Sequence, residues 1–341
     1  MLGNCQAFPA NALFNTRIDN AATYPVHPSN ALWGARIGAT RAFHADWGRN
    51  ENQADTENYY GIPINYLDGG SASQTTWPTV NFTITDPRSG NGNGVPEESD
   101  CTNIAGGSII SGCNTVPAAD RRFPYPVTSA VKAENGACND ARTCGDRHIL
   151  VVDTNTCRLW ESYFSYHVDG QWYAYSTAAY NLDSNTMRPN TWTSADAAGL
   201  PMAPLIARAD EASTGVVNHA LRVTFQGSIV ARSYVWPARH RAGSGPTDGV
   251  PLGAALRLKS SFSIPAGWTT QAKALATAMQ QYGLYVADLG SNFFVQGEPS
   301  AAWNAQTISQ LQTIPMGEME FVDMSAIAAK PGFNANSFAN P

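Results

Sequence analysis

One group of residues able to do acid–base chemistry begins at Asp146-Arg147-His148, directly before a short apolar run. A histidine can act as a general base near neutral pH because its reference pKa is ~6.5. Asp153 and Glu161 follow along the chain and could supply a partner carboxylate. We therefore take His148, Asp153 and Glu161 as candidate catalytic residues and Arg147 as a candidate substrate-binding residue. The alternative is that His148 is a core histidine held by a backbone carbonyl.

A second group combines adjacent acids with a histidine and an arginine: Asp210-Glu211, then His219 and Arg222. Adjacent carboxylates on an extended segment point to opposite faces, so at most one of them lines a given site. We take Asp210, Glu211 and His219 as candidate catalytic residues and Arg222 as a candidate binding residue. The alternative is a strand end that carries a surface acid.

A third group is a basic loop that follows a strand-ending proline and contains Trp236, Arg239 and His240. The guanidinium group pairs with a carboxylate, a phosphate or a sugar hydroxyl in a fixed fork, so this loop suits an acidic or polyhydroxylated ligand. We take these three residues and Trp192 as candidate substrate-binding residues. The alternative is a solvated basic rim.

Aromatic side chains are abundant, with nine Trp, thirteen Tyr and thirteen Phe. Five tryptophans lie in loop-like sequence: Trp47, Trp77, Trp192, Trp268 and Trp303. The segment 44–47 (HADW) places Trp47 next to a histidine and an acid. Aromatic faces can stack on the apolar faces of sugars. The alternative is that these rings cap small hydrophobic cores.

The motifs of nucleotide, zinc-protease and serine-hydrolase chemistry are absent: there is no phosphate loop, no H-E-x-x-H and no G-x-S-x-G. The sequence also lacks a calcium loop. We expect no cofactor and no metal site.

The elements that must position these residues are mostly strands. Asp169-Gly170 is a strong two-residue hairpin signal between aromatic arms, and 219–225 alternates as a strand. Segments 284–287 and 293–296 are predicted to form a final hairpin, and 270–282 is the best helix. The pattern predicts a mainly β fold, a jelly-roll-like β-sandwich with a few short peripheral helices and long disulfide-stapled loops.

Six cysteines form an even set without a C-x-x-C pair, which favours disulfides over metal binding. The closest pairs in sequence are Cys101/Cys113 and Cys138/Cys144, and that pairing leaves Cys5 for Cys157. A Cys5–Cys157 bond would tie the start of the chain to its middle. We therefore expect one β-rich domain over 1–341, with a disulfide-stapled insertion at 86–145.

The cysteines also indicate the cellular compartment of the chain. Disulfides need an oxidising environment, and the start of the sequence lacks a basic region followed by an apolar run, so we expect a secreted, mature chain without its signal peptide. A formal charge of −6 argues against nucleic acid as the main partner. No apolar stretch is long enough to predict a membrane span.

Three segments resemble a broad group of secreted bacterial and fungal proteins of unassigned activity: WTSADAAGLP at 192–201, YVWPARH at 234–240 and ADLGSNFFVQG at 287–297. The opening CQAFPA and the DRHILVVD stretch are similar to the same group. The resemblance covers most of the chain and implies secretion and a glycan-rich habitat. It implies no catalytic residue, and the 101–144 insertion interrupts it.

These observations together predict a secreted carbohydrate-active enzyme that cleaves a polysaccharide or oligosaccharide. Hydrolysis is favoured over elimination because carboxylates outnumber histidines near the predicted strands. Elimination on a uronate would use Arg239 or Arg147 to neutralise the carboxylate. The alternatives are a non-catalytic glycan-binding protein and a cell-surface or filament-forming structural protein.

Overall fold

The structure, a computed structural model, describes residues 1–68, 77–83, 94–103, 108–126 and 130–341. In these ranges the chain forms many short strands and few helices. The strands are β1 (His44–Asp46), β2 (Ile64–Leu67), β3 (Val80–Phe82), β4 (Asp100–Cys101), β5 (Ile110–Ser111), β6 (Ile149–Asp153), β7 (Arg158–Tyr163), β8 (Tyr166–Val168), β9 (Gln171–Ala174), β10 (Ser176–Asn181), β11 (Leu221–Phe225), β12 (Val230–Tyr234), β13 (Val250–Leu252), β14 (Ala255–Leu258), β15 (Leu284–Leu289), β16 (Phe294–Gln296) and β17 (Met319–Val322). The α-helices are α1 (Asn30–Ile37), α2 (Ala209–Ser213), α3 (Thr270–Gln281), α4 (Ala305–Leu311) and α5 (Ser325–Ala328).

The larger sheet has six strands in the order β1-β16-β11-β15-β14-β17. The inner strand β11 pairs parallel with β15 and antiparallel with β16. All five residues of β11 are buried, as expected for a strand that is covered on both faces. The strand predicted over 219–225 is therefore confirmed, with its start at Leu221.

The predicted final hairpin is wrong. Both segments form strands, but β15 and β16 do not pair with each other, because β11 lies between them. Val223 and Thr224 of β11 pair with Val295 and Phe294 of β16, and the chain after β15 passes over the end of β11. Asp288 consequently lies near the end of β15 and not in a tight turn.

The second sheet has four strands in the order β10-β7-β6-β2. β7 is antiparallel to both β6 and β10, whereas β2 is parallel to β6. The Asp169-Gly170 hairpin is confirmed: β8 and β9 pair across it, and both turn residues have positive φ (51° and 78°), as a type I′ turn requires.

Local signals fix the two longer helices after β14. The Thr269 side chain accepts a hydrogen bond from the Ala272 N–H and starts α3, and Gly283 follows its end with a φ of 73°. The side chain of Asn304 caps α4 by accepting from the Gln306 N–H at 2.9 Å. α3 buries the side chains of Leu275 and Met279, which confirms its apolar face.

The three disulfides pair as predicted: Cys5–Cys157, Cys101–Cys113 and Cys138–Cys144. One hydrophobic core extends from Leu2 to Phe338 and includes residues of both larger sheets. A second core packs Phe123 and Tyr125, from the described part of the predicted insertion, against β6 and β7. The single-domain organisation and the insertion at 86–145 stay predictions.

The fold is mostly β, as predicted. A jelly roll is an antiparallel architecture, whereas the β1–β16, β11–β15 and β2–β6 pairs are parallel, so the jelly-roll arrangement is not confirmed. In the part of the chain that the structure describes, no helix is both long and apolar enough to cross a membrane.

Candidate functional site

A polar cavity of about 400 Å³ lies where the ends of the two larger sheets approach each other, and we call it the acid cavity. Residues from both sheets and from the loops between them line it. Its lining includes four acids, two tyrosines and one histidine: Glu98, Asp146, Asp196, Asp288, Tyr163, Tyr175 and His240. Lysine and arginine are absent from the described residues that line it.

The floor of the acid cavity is built on one buried arginine of β11. Arg222 Nη2 lies 3.1 Å from Asp196 Oδ2 and 3.5 Å from Asp288 Oδ2. Burial raises the pKa of Asp196 to about 7 and also raises the pKa of Asp288, although the Arg222 charge opposes both shifts. Because one cation serves two carboxylates, part of the negative charge at this floor is not neutralised.

Asp196 and Asp288 differ in how far their carboxyl groups are buried and hydrogen-bonded within the protein. Asp196 Oδ1 accepts hydrogen bonds from Ser194 Oγ and from the backbone N–H groups of Ala198 and Leu200, so Asp196 shapes its own turn. The side chain of Asp196 is fully buried, whereas that of Asp288 is 18% exposed. Asp288 is therefore the floor carboxylate that a ligand in the cavity can reach.

A wall of the acid cavity carries another carboxylate in a different setting. Asp146 precedes β6, is exposed to solvent, and accepts a hydrogen bond from Tyr163 Oη at 3.2 Å. Burial and the Asp146 charge raise the pKa of Tyr163, so this tyrosine stays a neutral hydrogen-bond donor. A buried acid and an exposed carboxylate that face one cavity form the arrangement that separates acid and base roles.

Behind this wall lies a buried ion pair. His148 Nδ1 is 2.6 Å from Glu134 Oε2, and His148 Nε2 is 2.9 Å from the Ala195 carbonyl oxygen. Both ring nitrogens face acceptors, so both must carry a proton. Burial alone would lower the pKa of His148, but the Glu134 carboxylate raises it to about 9. The imidazolium thus anchors the 193–197 segment that forms one side of the cavity.

Two predicted catalytic acids lie outside the cavity lining. Glu161 is fully buried on β7, and its carboxylate accepts from the N–H groups of Met202 and Ala203 at 2.8 to 3.0 Å. Burial raises the pKa of Glu161 to about 8. Asp153 closes the turn after β6, where Oδ2 accepts from Thr156 Oγ1 at 2.8 Å.

The second predicted group forms a separate cluster at the other side of β11. His219 Nε2 is 2.9 Å from Glu211 Oε2, and Arg208 pairs with the same carboxylate. Burial would raise the pKa of Glu211, but the hydrogen bond from His219 and the charge of Arg208 lower it to about 2. Asp210 is exposed beside this cluster in a shallow depression that also touches Tyr66.

Most of the predicted binding residues are held by local contacts away from the cavity. Arg147 Nη1 donates to the Gly136 carbonyl at 2.8 Å, and Arg239 donates to three partners in the chain. Trp192 lies under the Arg188 guanidinium, 5.7 Å from ring centroid to Cζ. Trp236 lines a different, apolar cavity.

Of the residues predicted from sequence, three lie at the acid cavity: His240, Arg222 and His148. His240 lines it directly, with Nδ1 3.0 Å from the Ala197 carbonyl oxygen, whereas the other two support it from beneath. Sequence reasoning missed Asp196, Asp288 and Glu134, and it named Asp146 in the first group without taking it as a site residue. A carboxylate near the end of a predicted strand was the available signal for Asp288, but Glu134 lies in irregular sequence without a periodic pattern.

The described residues contain no cluster of three or more His, Cys, Asp or Glu side chains arranged to hold a metal ion. The acid cavity itself presents carboxyl, phenol and imidazole groups. No protein-family model, no curated protein and no solved structure matches the chain.

Proposed function

We propose that this chain is a secreted carbohydrate-active enzyme that hydrolyses a glycosidic bond in the acid cavity. The observation that carries the proposal is the pair Asp288 and Asp146, two carboxyl groups that face one cavity from different environments. Glycoside hydrolysis needs two such groups on either side of the scissile bond.

The roles follow from the two environments. We assign Asp288, whose pKa is raised by burial, as the general acid that protonates the leaving glycosidic oxygen. Asp146 acts from the exposed wall, where it accepts a proton from the attacking water or attacks the anomeric carbon itself. Water supplies the hydroxyl group that completes the new reducing end. Tyr163 holds the Asp146 carboxylate in place through its hydrogen bond.

Hydrolysis fits the cavity better than elimination on a uronate. Elimination requires a cation that neutralises the substrate carboxylate, and the described lining residues include neither lysine nor arginine. Arg147 and Arg239, which would serve that purpose, are bound to backbone carbonyls elsewhere. An acid-lined cavity instead favours a neutral sugar.

A purely glycan-binding role has less support. Such a role would use an exposed row of tryptophans, but all nine are buried or half-buried. Trp47, Trp77 and Trp303 are core residues, with 1 to 3% exposure. The phenol rings that border the acid cavity are instead Tyr163 and Tyr175, either of which can present its face to a sugar ring beside the carboxylates.

The test is incubation of the purified chain with a panel of neutral and acidic polysaccharides and oligosaccharides. Both new reducing ends and the absorbance of unsaturated uronate are read. We expect reducing ends from a neutral substrate without uronate absorbance. Unsaturated products would overturn hydrolysis, and the absence of any product across the panel would count against an enzyme.

The variant Asp288→Asn tests the assignment of the acid. It should lower the turnover rate by about 10²–10⁴-fold, because it removes the proton donor and keeps the shape. Asp210→Asn is the matched control, since Asp210 is exposed and lies outside the cavity. Equal activity of the two variants would contradict the assignment of Asp288.

A further inference from the structure

A second cavity, of about 240 Å³, shares no lining residue with the acid cavity, and we call it the aromatic cavity. Its walls are mostly apolar and include Val322 and Met324. Three aromatic rings, those of His27, Trp33 and Trp236, also line it. A cavity of this size suits a small ligand.

The aromatic rings are fixed before any ligand arrives. Trp33 Nε1 donates to the Asp248 carbonyl at 3.0 Å, and Trp236 Nε1 donates to the Ser337 carbonyl at 3.2 Å. His27 stacks on Trp33 with ring centroids 4.4 Å apart and an interplanar angle of 17°. Because the polar edges of both indoles are occupied by the protein, they have no N–H group left to offer a ligand.

The charge at the aromatic cavity is negative. Asp323 lines it, and the Ser325 N–H donates to Asp323 Oδ1 at 2.8 Å, which lowers the pKa of this carboxyl. His27 adds no positive charge, since its Nδ1 accepts a hydrogen bond from the Ser29 N–H at 3.0 Å and burial lowers its pKa. The described residues that line the cavity include no lysine or arginine.

We propose that the aromatic cavity binds a small organic cation with an alkylated ammonium group. Aromatic faces attract such a cation through their negative π-surface, and the attraction is strongest for tryptophan. Asp323 supplies the opposite charge, while the aliphatic walls suit the alkyl substituents. A sugar would find few hydrogen-bonding partners there. This site is independent of the hydrolysis proposed above.

Calorimetric titration with choline tests the proposal against 3,3-dimethylbutan-1-ol, in which a carbon atom replaces the charged nitrogen. The two compounds have nearly the same shape, so the comparison isolates the charge. We expect choline to bind at least about tenfold more tightly than the neutral alcohol. Equal binding of the two compounds, or no binding of choline, would overturn the proposal.

Two variants locate the bound cation. Asp323→Asn should remove most of the preference for choline, and Trp236→Leu should weaken choline binding further, because each removes one of the two attractions. Asp210→Asn is the control for the loss of one negative charge elsewhere on the surface. Thermal melts check that each variant is folded, and unchanged choline binding in a folded Asp323→Asn/Trp236→Leu double variant would exclude the aromatic cavity as the site.

Discussion

Two histidine–glutamate pairs in this molecule have the same local geometry but different surroundings. In both pairs one ring nitrogen contacts a glutamate and the other contacts a backbone carbonyl: His148 with Glu134, and His219 with Glu211. Glu211 also pairs with Arg208, whereas His148 is the ion-pair partner of Glu134 in the described structure.

The two surroundings decide whether a ligand can reach the carboxylates near each pair. The Glu211 cluster satisfies its own charges beside a shallow depression, so it stabilises the end of β11. The Glu134 pair instead supports a wall of the acid cavity, where Asp146 and Asp288 face open space. A histidine beside an acid is therefore weak support for a catalytic site unless other carboxylates nearby face an open cavity.

We expect the largest difference between the two pairs when each histidine is replaced and the free energy of unfolding is measured. His148→Leu leaves Glu134 without its cation and should lower the free energy of unfolding by about 3–5 kcal/mol. His219→Leu should lower it by only about 1 kcal/mol, because Glu211 keeps Arg208. Urea unfolding at pH 7 measures both values. A Glu134→Gln/His148→Leu double variant should recover part of the loss, and equal losses for the two single variants would contradict the comparison.

The two pairs should lose their contributions to stability at different pH, the His148 pair at high pH and the Glu211 pair at low pH. The pKa of His148 is raised from 6.5 to about 9, so its contribution, roughly 3 kcal/mol, is complete below pH 6.5 and disappears as the pH rises through 9. The pKa of Glu211 is lowered from 4.5 to about 2, so its contribution disappears only as the pH falls through 2. The difference in unfolding free energy between wild type and His148→Leu, followed from pH 6 to 10, measures the first effect. A difference that stays constant over this range would show that His148 is neutral when folded.

A smaller effect than the loss of His148 concerns the loop that carries Glu134. Asn135 Nδ2 donates to the Cys144 carbonyl at 2.6 Å, and the Cys138–Cys144 bond closes this loop with a sequence separation of 6. Replacing both cysteines by serine should lower the free energy of unfolding by about 2 kcal/mol, because a short loop restricts the unfolded chain little. Thermal or urea unfolding measures the loss. The same replacement should leave the His219 pair unchanged, and altered ¹⁵N signals of the His219 ring would contradict that expectation.

Local features of the fold could be predicted from sequence. The three disulfides followed from the spacing of the cysteines, and the Asp169-Gly170 turn followed from its two residues alone. The N-terminal caps of α3 and α4 could also be predicted, because each depends on one side chain and a backbone N–H group in the first turn of the helix. Apart from Cys5–Cys157, which followed from the pairing of the other four cysteines, each of these signals acts over a sequence separation of at most 12.

The site could not be predicted in the same way, because it depends on which strands become neighbours. Asp288 meets Arg222 only because β11 lies between β15 and β16, and an apparent hairpin signal predicted another pairing. Glu161 resembled a catalytic acid, but the backbone N–H groups of Met202 and Ala203 bind its carboxylate in the core. Those partners are some forty residues away and carry no sequence signal.

The pairing of β11 also constrains how the chain reaches its native state. The neighbours of this strand, β15 and β16, follow it by about sixty and about seventy residues. The outermost strand of the same sheet, β1, lies some 250 residues before β16. A chain emerging from the ribosome therefore holds β11 without either neighbour until β15 and β16 have been synthesised. Such non-local topology makes folding slow and leaves apolar strand edges exposed to self-association in the meantime.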